Sequence, residues 1–318
     1  MPDRSGAHDV IDFADQAAVV TGAGRGLGRL YAIELARRGA QVVVNDIGGS
    51  MQGQGTDASV ADEVVAQIVA AGGAAVASHT SVETPEGGEE IVQGALDAFG
   101  RLDVVVSNAG IYEMVPFDQL TPEQWRRMSA VHADGAFHLT QPAFRRMKAQ
   151  GYGRFVMVTS NIAAFGQPDL AHYGAAKGAV LGLTHALANE GAPHGILANA
   201  VLPIGRTRMM TDSLDLIPQD PVVERLFAET TPERVVALVT YLASRSCTLN
   251  QHAFSAAAGR FARVFIGLAE GWMADPGHDP TAEDIAEHLE AVVATEPFTV
   301  PTTVADEIVG LMSRLGII

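Results

Sequence analysis

The run Thr21-Gly22-Ala23-Gly24-Arg25-Gly26-Leu27-Gly28 constrains this chain more than any other stretch. It follows the apolar segment Ala17–Thr21 and leads into Leu27–Arg38, where Leu27, Leu30, Tyr31, Ile33 and Leu35 fall on or near one side. Residues without side chains, placed between a strand and a helix, let the backbone approach a pyrophosphate at the positive helix N-terminus. The same glycines could make a plain tight turn, and it is the position directly after a strand that favours a nucleotide site. Gly39 suits the helix C-cap and Gln41–Asp46 reads as the next strand, so the unit is β-α-β.

Further short apolar runs carry the strand signature at Ala74–Ser78, Val104–Ser107, Phe155–Ser160, Ile196–Leu202 and, as the last strand, Ala253–Ala257. Segments of helical period separate them. Thr121-Pro122-Glu123 opens one with an N-cap residue and a first-turn proline, and this helix is expected to run with a break to about Lys148. Ala171–Glu190 is rich in Ala and Gly, which suits either a core helix or a subunit-contacting one, and Pro232–Ser244 forms another helix. Strands alternating with crossover helices predict an α/β fold, a doubly wound and mainly parallel Rossmann-type sheet over residues 13–259.

Beyond Gly259 the pattern changes. Pro276, Gly277 and Pro280 interrupt the chain, and Thr281-Ala282-Glu283-Asp284 opens a helix to about Val293 with a capping-box start. Its Ile285, Leu289 and Val292 share one side, so residues 260–318 are expected to be a C-terminal helical extension near the substrate mouth or a subunit interface. Met1 to Asp12 is expected to be a frayed lead-in.

Composition narrows the class of partner. The 318 residues are 47% hydrophobic and 18% charged, enough to bury one large core. A formal net charge of −16, with no basic block to offset it, disfavours both nucleic acid and anionic membranes. No stretch approaches the ~18 uninterrupted apolar residues of a membrane span, and the first residues lack the basic and apolar zones of a signal peptide. With Cys247 as the only cysteine there is no internal disulfide and no cysteine-based metal site, which fits a reducing cytoplasm. His79, His172, His185 and His194 lack the spacing and acidic partners of a metal site, so surface or packing roles are expected and no metal is implied.

The spacing Gly22, Gly26, Gly28 departs from the G-x-G-x-x-G of long-chain dehydrogenases and matches the T-G-x-x-x-G-x-G turn of short-chain ones. Other landmarks follow in the same order: Asn108-Ala109-Gly110 after Val104–Ser107, Ser160 thirteen residues before Tyr173, Lys177 completing Tyr-x-x-x-Lys, and Pro203 following Ile196–Leu202. On these residues, from about Gln16 to Gly259, the chain resembles the short-chain dehydrogenase/reductase family.

That resemblance implies hydride transfer between a nicotinamide cofactor and a secondary alcohol or ketone, in a homo-oligomer, dimer or tetramer. It implies that Tyr173 takes the alcohol proton, that Ser160 hydrogen-bonds the substrate oxygen, and that Lys177 also holds the nicotinamide ribose. It carries cofactor contacts to Gly22, Arg25, Gly26, Leu27, Gly28, Asn108, Ala109, Gly110, Tyr173, Lys177, Pro203 and Thr207. Physical chemistry supports the first of these roles. Tyr173 and Lys177 stand one helical turn apart, and a cation beside a phenol whose ordinary pKa is near ~10 favours the phenolate.

For the cofactor, Asp46 ends the second strand, where a carboxylate can accept both ribose hydroxyls of NAD and repel the extra phosphate of NADP. Arg25 argues the other way, since NADP-using relatives often carry a basic residue there. The carboxylate is expected to prevail, so the cofactor is read as NAD.

Departures from the family pattern matter too. His132 falls where the family usually has a catalytic asparagine; it either anchors a water in the proton relay or bonds a backbone carbonyl. Thr80 stands where many members place an aspartate, and Ile204 replaces the glycine after Pro203. The Asn45-Asp46-Ile47-Gly48-Gly49 segment, His132 and Ile204 together look like the (3R)-hydroxyacyl-CoA dehydrogenase domain of peroxisomal multifunctional enzymes and its bacterial relatives. The expected substrate is therefore a hydroxyacyl-CoA or a bulky, hydroxysteroid-like apolar alcohol. Met209 and Met210 either cover it or simply pack, and Arg206 and Arg208 either meet an anion or stay solvated. Two rival readings stay open: a silent NAD-binding regulator or scaffold, against which the intact Ser160, Tyr173 and Lys177 argue, and an epimerase or dehydratase that keeps its NAD, against which the short substrate region argues.

Overall fold

The computed structural model describes residues 10–205, 224–225, 228–275, 277–315 and 317. Thr207, Arg206, Arg208, Met209, Met210 and Pro276 lie outside the described residues, as does most of the lead-in.

Residues 1–263 form one compact unit and 264–318 a second. In the first, strands β1 (Ala17–Thr21), β2 (Gln41–Asn45), β3 (Ala74–Ser78), β4 (Val104–Ser107), β5 (Gly153–Val158), β6 (Ile196–Ile204) and β7 (Ala253–Ala257) pair in parallel. A further strand, β8 (Arg260–Val264), lies beside β7, so the sheet order is β3-β2-β1-β4-β5-β6-β7-β8. Ala253–Ala257 is therefore not the last strand, as the sequence had suggested; the turn Ala258-Gly259, both with positive φ, lets the chain continue into β8.

Strand alternation sorts the core into two layers. Val20, Val44, Val106 and Val156 face the side covered by α1 (Gly26–Arg37), α2 (Ser59–Ala70) and, after the interval of undescribed residues, Glu233–Ala243. Val19, Val43, Val105 and Phe155 face the other side, where α3 (Pro85–Phe99), α5 (Gly135–Gln150) and α7 (Ala171–Gly191) pack. The strand order reverses between β1 and β4, and ligands of doubly wound sheets bind outside the carboxyl ends of the strands at such a switch point.

Several local departures bear on the site. The helix opened by Thr121 starts with a capping box to Gln124 and runs as α4 (Pro122–Ser129), then widens into a π turn, Ala130–Asp134, before α5. This π turn is the expected break, and it holds His132. Ser160 is not the end of β5 but the N-cap of a short helix, α6 (Asn161–Phe165), its Oγ accepting from the Ile162 N–H at 3.1 Å. Pro203 lies within β6 rather than after it. At that point β6 has lost its β5 partner and pairs only with β7 (Pro203 opposite Ala256), so a residue without an N–H breaks no ladder. The lead-in is anchored at its described end, where Ile11 packs on the core and its carbonyl accepts from Arg38 at 2.8 Å.

With Glu233–Ala243 as α8, the second unit holds α9 (Ala282–Glu287), α10 (Leu289–Val293) and α11 (Val304–Arg314), with β9 (Leu268–Ala269) antiparallel to β10 (Phe298–Thr299). The expected single helix to Val293 is divided at His288, whose ring stacks on Trp272 at 4.3 Å. None of its described residues is buried, and Ile285, Leu289, Val293, Ile308 and Leu311 are each at least 42% exposed. A unit without a core of its own cannot offset the chain entropy of ordering. Residues 264–318 expressed alone are thus expected to show no cooperative thermal transition by circular dichroism; a sharp melt would contradict this.

Candidate active site

A cavity of about 640 Å³ opens at the carboxyl ends of β1, β4 and β5 and gathers most of the residues singled out in the sequence. Its lining includes Gly22, Arg25, Gly26, Leu27 and Gly28 after β1, Asp46 after β2, Asn108 to Gly110 after β4, and His132, Ser160, Tyr173, Lys177 and Pro203.

The glycine turn is built against the loop after β4. Asn108 Nδ2 donates to the Thr21 and Gly22 carbonyls at 3.0 and 3.2 Å, and the Asn108 and Ala109 N–H groups both donate to Thr21 Oγ1 at 3.1 Å. A Cβ on Gly28 would stand 2.1 Å from the Gly22 carbonyl oxygen, so the turn closes only with glycine there. Asp46 is clamped by backbone donors, its Oδ2 accepting from Gly24 at 2.9 Å and its Oδ1 from Gly48 at 2.7 Å. The Arg25 side chain is exposed, and its guanidinium donates to the Gly49 carbonyl at 3.3 Å. Thr80 turns its hydroxyl away to Glu90 at 2.8 Å.

At the other side, Tyr173 and Lys177 both lie in α7 and both are buried. Burial pushes the Tyr173 phenol up to about 12, against the pull of a hydrogen bond with Ser160. Burial likewise brings the Lys177 amine down to about 7; its Nζ donates to the Val158 carbonyl at 2.8 Å and lies 6.0 Å from the centre of the Tyr173 ring. Between about pH 7 and the ordinary value of 10.5, the unfolded chain binds a proton at Lys177 that the folded chain does not. Stability of the ligand-free protein should therefore rise with pH through that window. A Tm series should show this rise, and Lys177→Met should flatten it; an unaltered slope in the variant would mean that another group carries it.

His132 packs edge-on against the Tyr173 ring, with centroids 5.3 Å apart, and a Cβ on Gly110 would fall 2.4 Å from its Cε1. Its Nε2 lies 2.8 Å from the Ile111 carbonyl oxygen and 3.1 Å from the Ile111 N–H, so a single residue can anchor either tautomer. The backbone contact weighed from the sequence is thus made at Nε2, while Nδ1 is buried and finds no partner among the described residues. Burial first, then the charge of Lys177, hold this imidazole well below the ordinary histidine value.

Sequence reasoning missed two parts of the cavity. Tyr112 closes on Tyr173 edge-to-face at 5.4 Å, and the loop after β2 contributes Ile47 and Met51, with the Met51 carbonyl accepting from the Tyr112 N–H at 2.9 Å. The glycines at 48, 49, 53 and 55 were the available signal for that loop. Of the scattered histidines, His79 is exposed and pairs with Asp62 at 3.0 Å, whereas His172 is buried. Among the described residues no three His, Cys, Asp or Glu side chains converge as a metal site, and no helix is long and apolar enough to cross a membrane.

Comparison with known proteins agrees with this geometry. A family model described as short chain dehydrogenase matches residues 16–215. Peroxisomal multifunctional enzyme A of Dictyostelium discoideum is 37% identical over 306 residues, which are 96% of this chain and 66% of that protein. A Mycobacterium tuberculosis protein described as a short-chain type dehydrogenase/reductase is 42% identical over 272 residues, 86% of this chain and 92% of its own. The structure of full-length peroxisomal multifunctional enzyme type 2 from Drosophila melanogaster superposes with a TM-score of 0.79 at 30% identity, covering 96% of this chain and half (50%) of that one. The chain thus spans less than two thirds of the multifunctional relatives it matches. With its glycine turn, its Ser160, Tyr173 and Lys177 cluster and these relatives, the chain belongs to the short-chain dehydrogenase family.

Proposed function

We propose that this protein oxidises a secondary alcohol, or reduces the ketone, with NAD, and that its preferred substrate is a hydroxyacyl-CoA or a bulky, hydroxysteroid-like apolar alcohol. The observation that carries this reading is that one cavity joins the glycine turn to the Ser160, Tyr173 and Lys177 cluster. When bound, the nicotinamide supplies the hydride acceptor or donor. Gly22 to Gly28 would hold the pyrophosphate at the start of α1, Asp46 the adenosine ribose, and Lys177 the nicotinamide ribose. The residues themselves then manage one proton: Ser160 fixes the substrate oxygen, Tyr173 takes its proton during oxidation, and a charged Lys177 lowers the cost of the phenolate. His132 fixes the placement of Tyr173 by lying against its ring.

The wall formed by Tyr112, Ile111 and Ile162 supports an apolar substrate, and a Mycobacterium tuberculosis relative described as a hydroxyacyl-CoA dehydrogenase, 37% identical over 242 residues, supports the acyl-CoA class. A homo-oligomer in a reducing cytoplasm, without a resident metal, completes the proposal. The test is a panel of 3-hydroxyacyl-CoA, hydroxysteroid and simple cyclic alcohols followed by NADH absorbance. Turnover of the first or second class supports the reading. No turnover of any alcohol with either NAD or NADP would overturn it.

A further inference from the structure

Buried side-chain nitrogens and oxygens nearly always find partners, because an unpaired one costs on the order of 1–3 kcal/mol. Among the described residues, the buried polar atoms without a protein partner fall largely in one place: His132 Nδ1, both ring nitrogens of His172, and Arg127 Nε. These residues come from three adjoining pieces of chain. Arg127 is in α4, His132 in the π turn that follows it, and His172 in the first turn of α7 beside Tyr173. His172 is 1% exposed. Its chain neighbours Leu170 and Tyr173 pack in one buried cluster with Met128 of α4 and Val131 of the π turn, so the start of α7 lies against both of those elements. The charges of His132, Arg127 and Glu113 act across this junction. At the outer end Glu113 accepts from Arg127 at 2.7 Å and from Gln124 at 3.0 Å, with its side chain 25% exposed.

A buried group of unpaired donors and acceptors, with one member, His132, against the Tyr173 ring and another, Arg127, bonded to a partly exposed carboxylate, is suited to hold ordered water, and a water chain passes protons. We propose that His132 and His172 form a proton path between the Tyr173 side of the cavity and solvent at the Glu113–Arg127 pair, with His172 as its relay residue. The proposal rests on the dehydrogenase reading. Each alcohol oxidised leaves one proton with Tyr173, and that proton must reach solvent before the next turnover. In the proposed path the phenol gives it to water, and His132, whose Nε2 is held by Ile111, carries no proton itself but anchors that water at Nδ1. His132 can turn either a lone pair or an N–H toward the seam at Nδ1, because Ile111 anchors both of its tautomers. His172 takes the proton at one ring nitrogen and gives one up from the other toward Glu113 and solvent, so a change of tautomer resets it and no net charge remains. The charged and titratable groups that act on it are His132 from the π turn, Arg127 from α4 and Glu113 from the loop after β4.

Two measurements test the path. The first needs no activity: a high-resolution crystal structure of the free protein should show ordered water bonded to His172 and to His132 Nδ1, and a dry, apolar packing of His172 would overturn the proposal. The second uses the active enzyme at low buffer concentration. His172→Phe should lower kcat for oxidation about tenfold while leaving the KM of alcohol and cofactor unchanged, since only proton egress is slowed. Adding imidazole, a diffusible base, should restore the rate, and the solvent deuterium isotope effect on kcat should rise. Should His172→Phe fail to fold, Glu113→Gln at the outer end should give the same buffer-dependent loss. An unchanged kcat, or a loss that imidazole does not rescue and that comes with a raised KM, would reduce His172 to packing. Inactivity of the unaltered enzyme across the substrate panel would instead sink the dehydrogenase reading, which keeps the two failures distinct.

Discussion

Tyr173→Phe is expected to lower turnover on a confirmed alcohol by at least ~10²-fold, the low end of what a positioned acid or base contributes, with little change in cofactor affinity. The ring that packs against His132 and Tyr112 is retained in the variant, so the packing around it survives and only the proton acceptor is lost. Burial holds the phenol up to about 12, so at neutral pH it is protonated in the free protein. Oxidation by the unaltered enzyme should therefore quicken as pH rises above neutrality, the direction in which the phenolate population grows. The residual activity of the variant should lack that rise. Steady-state kinetics across pH checks both; wild-type turnover in Tyr173→Phe would mean that another group takes the proton.

The parts of this site that were legible in the sequence are those whose chemistry is local in the chain. A glycine turn must follow its strand directly, and Tyr173 and Lys177 share one turn of one helix, so spacing alone carries them. Ser160 was found by its distance from Tyr173 but assigned to the wrong element, because a five-residue helix such as α6 is too short for periodicity to show. What escaped depends on tertiary contact. Nothing near His172 in the sequence indicates that it is buried where the charges of Glu113 and Arg127, some sixty and forty-five residues away, act on it, and its neighbourhood was read as surface or packing.

The extension shows a different shortfall. The start of α11 carries the same kind of signal as α9, a threonine capping box, here Thr303 to Asp306, followed by Ile308 and Leu311 on one side. That signal was available and passed over. The two-residue strands β9 and β10 were not, since pairing between segments thirty residues apart leaves no pattern within either.

Cofactor choice should follow Asp46, with kcat/KM favouring NAD over NADP by ~10²-fold or more, roughly 2.7 kcal/mol and a plausible size for one misplaced charge. The Gly24 and Gly48 N–H groups fix the carboxylate in the cavity wall at 2.9 and 2.7 Å, so it cannot swing away from an incoming phosphate. Each oxygen keeps lone pairs with which to accept from a ribose hydroxyl. Arg25 also lines the cavity, but its guanidinium is at the edge of the site, held by one long bond to the Gly49 carbonyl, and would have to leave that contact to meet a phosphate. Fixed like charge should outweigh a mobile counter-charge. Asp46→Ala should narrow the gap by raising kcat/KM with NADP as well as lowering it with NAD, and adding Arg25→Ala should take back the gain with NADP. Because Asp46→Ala also strips two backbone donors of their acceptor, its Tm should be read beside the kinetics. The deciding measurement is kcat/KM for both cofactors on the unaltered enzyme, where equal values or a preference for NADP would mean that Asp46 serves the turn and the loop after β2 but does not face the ribose.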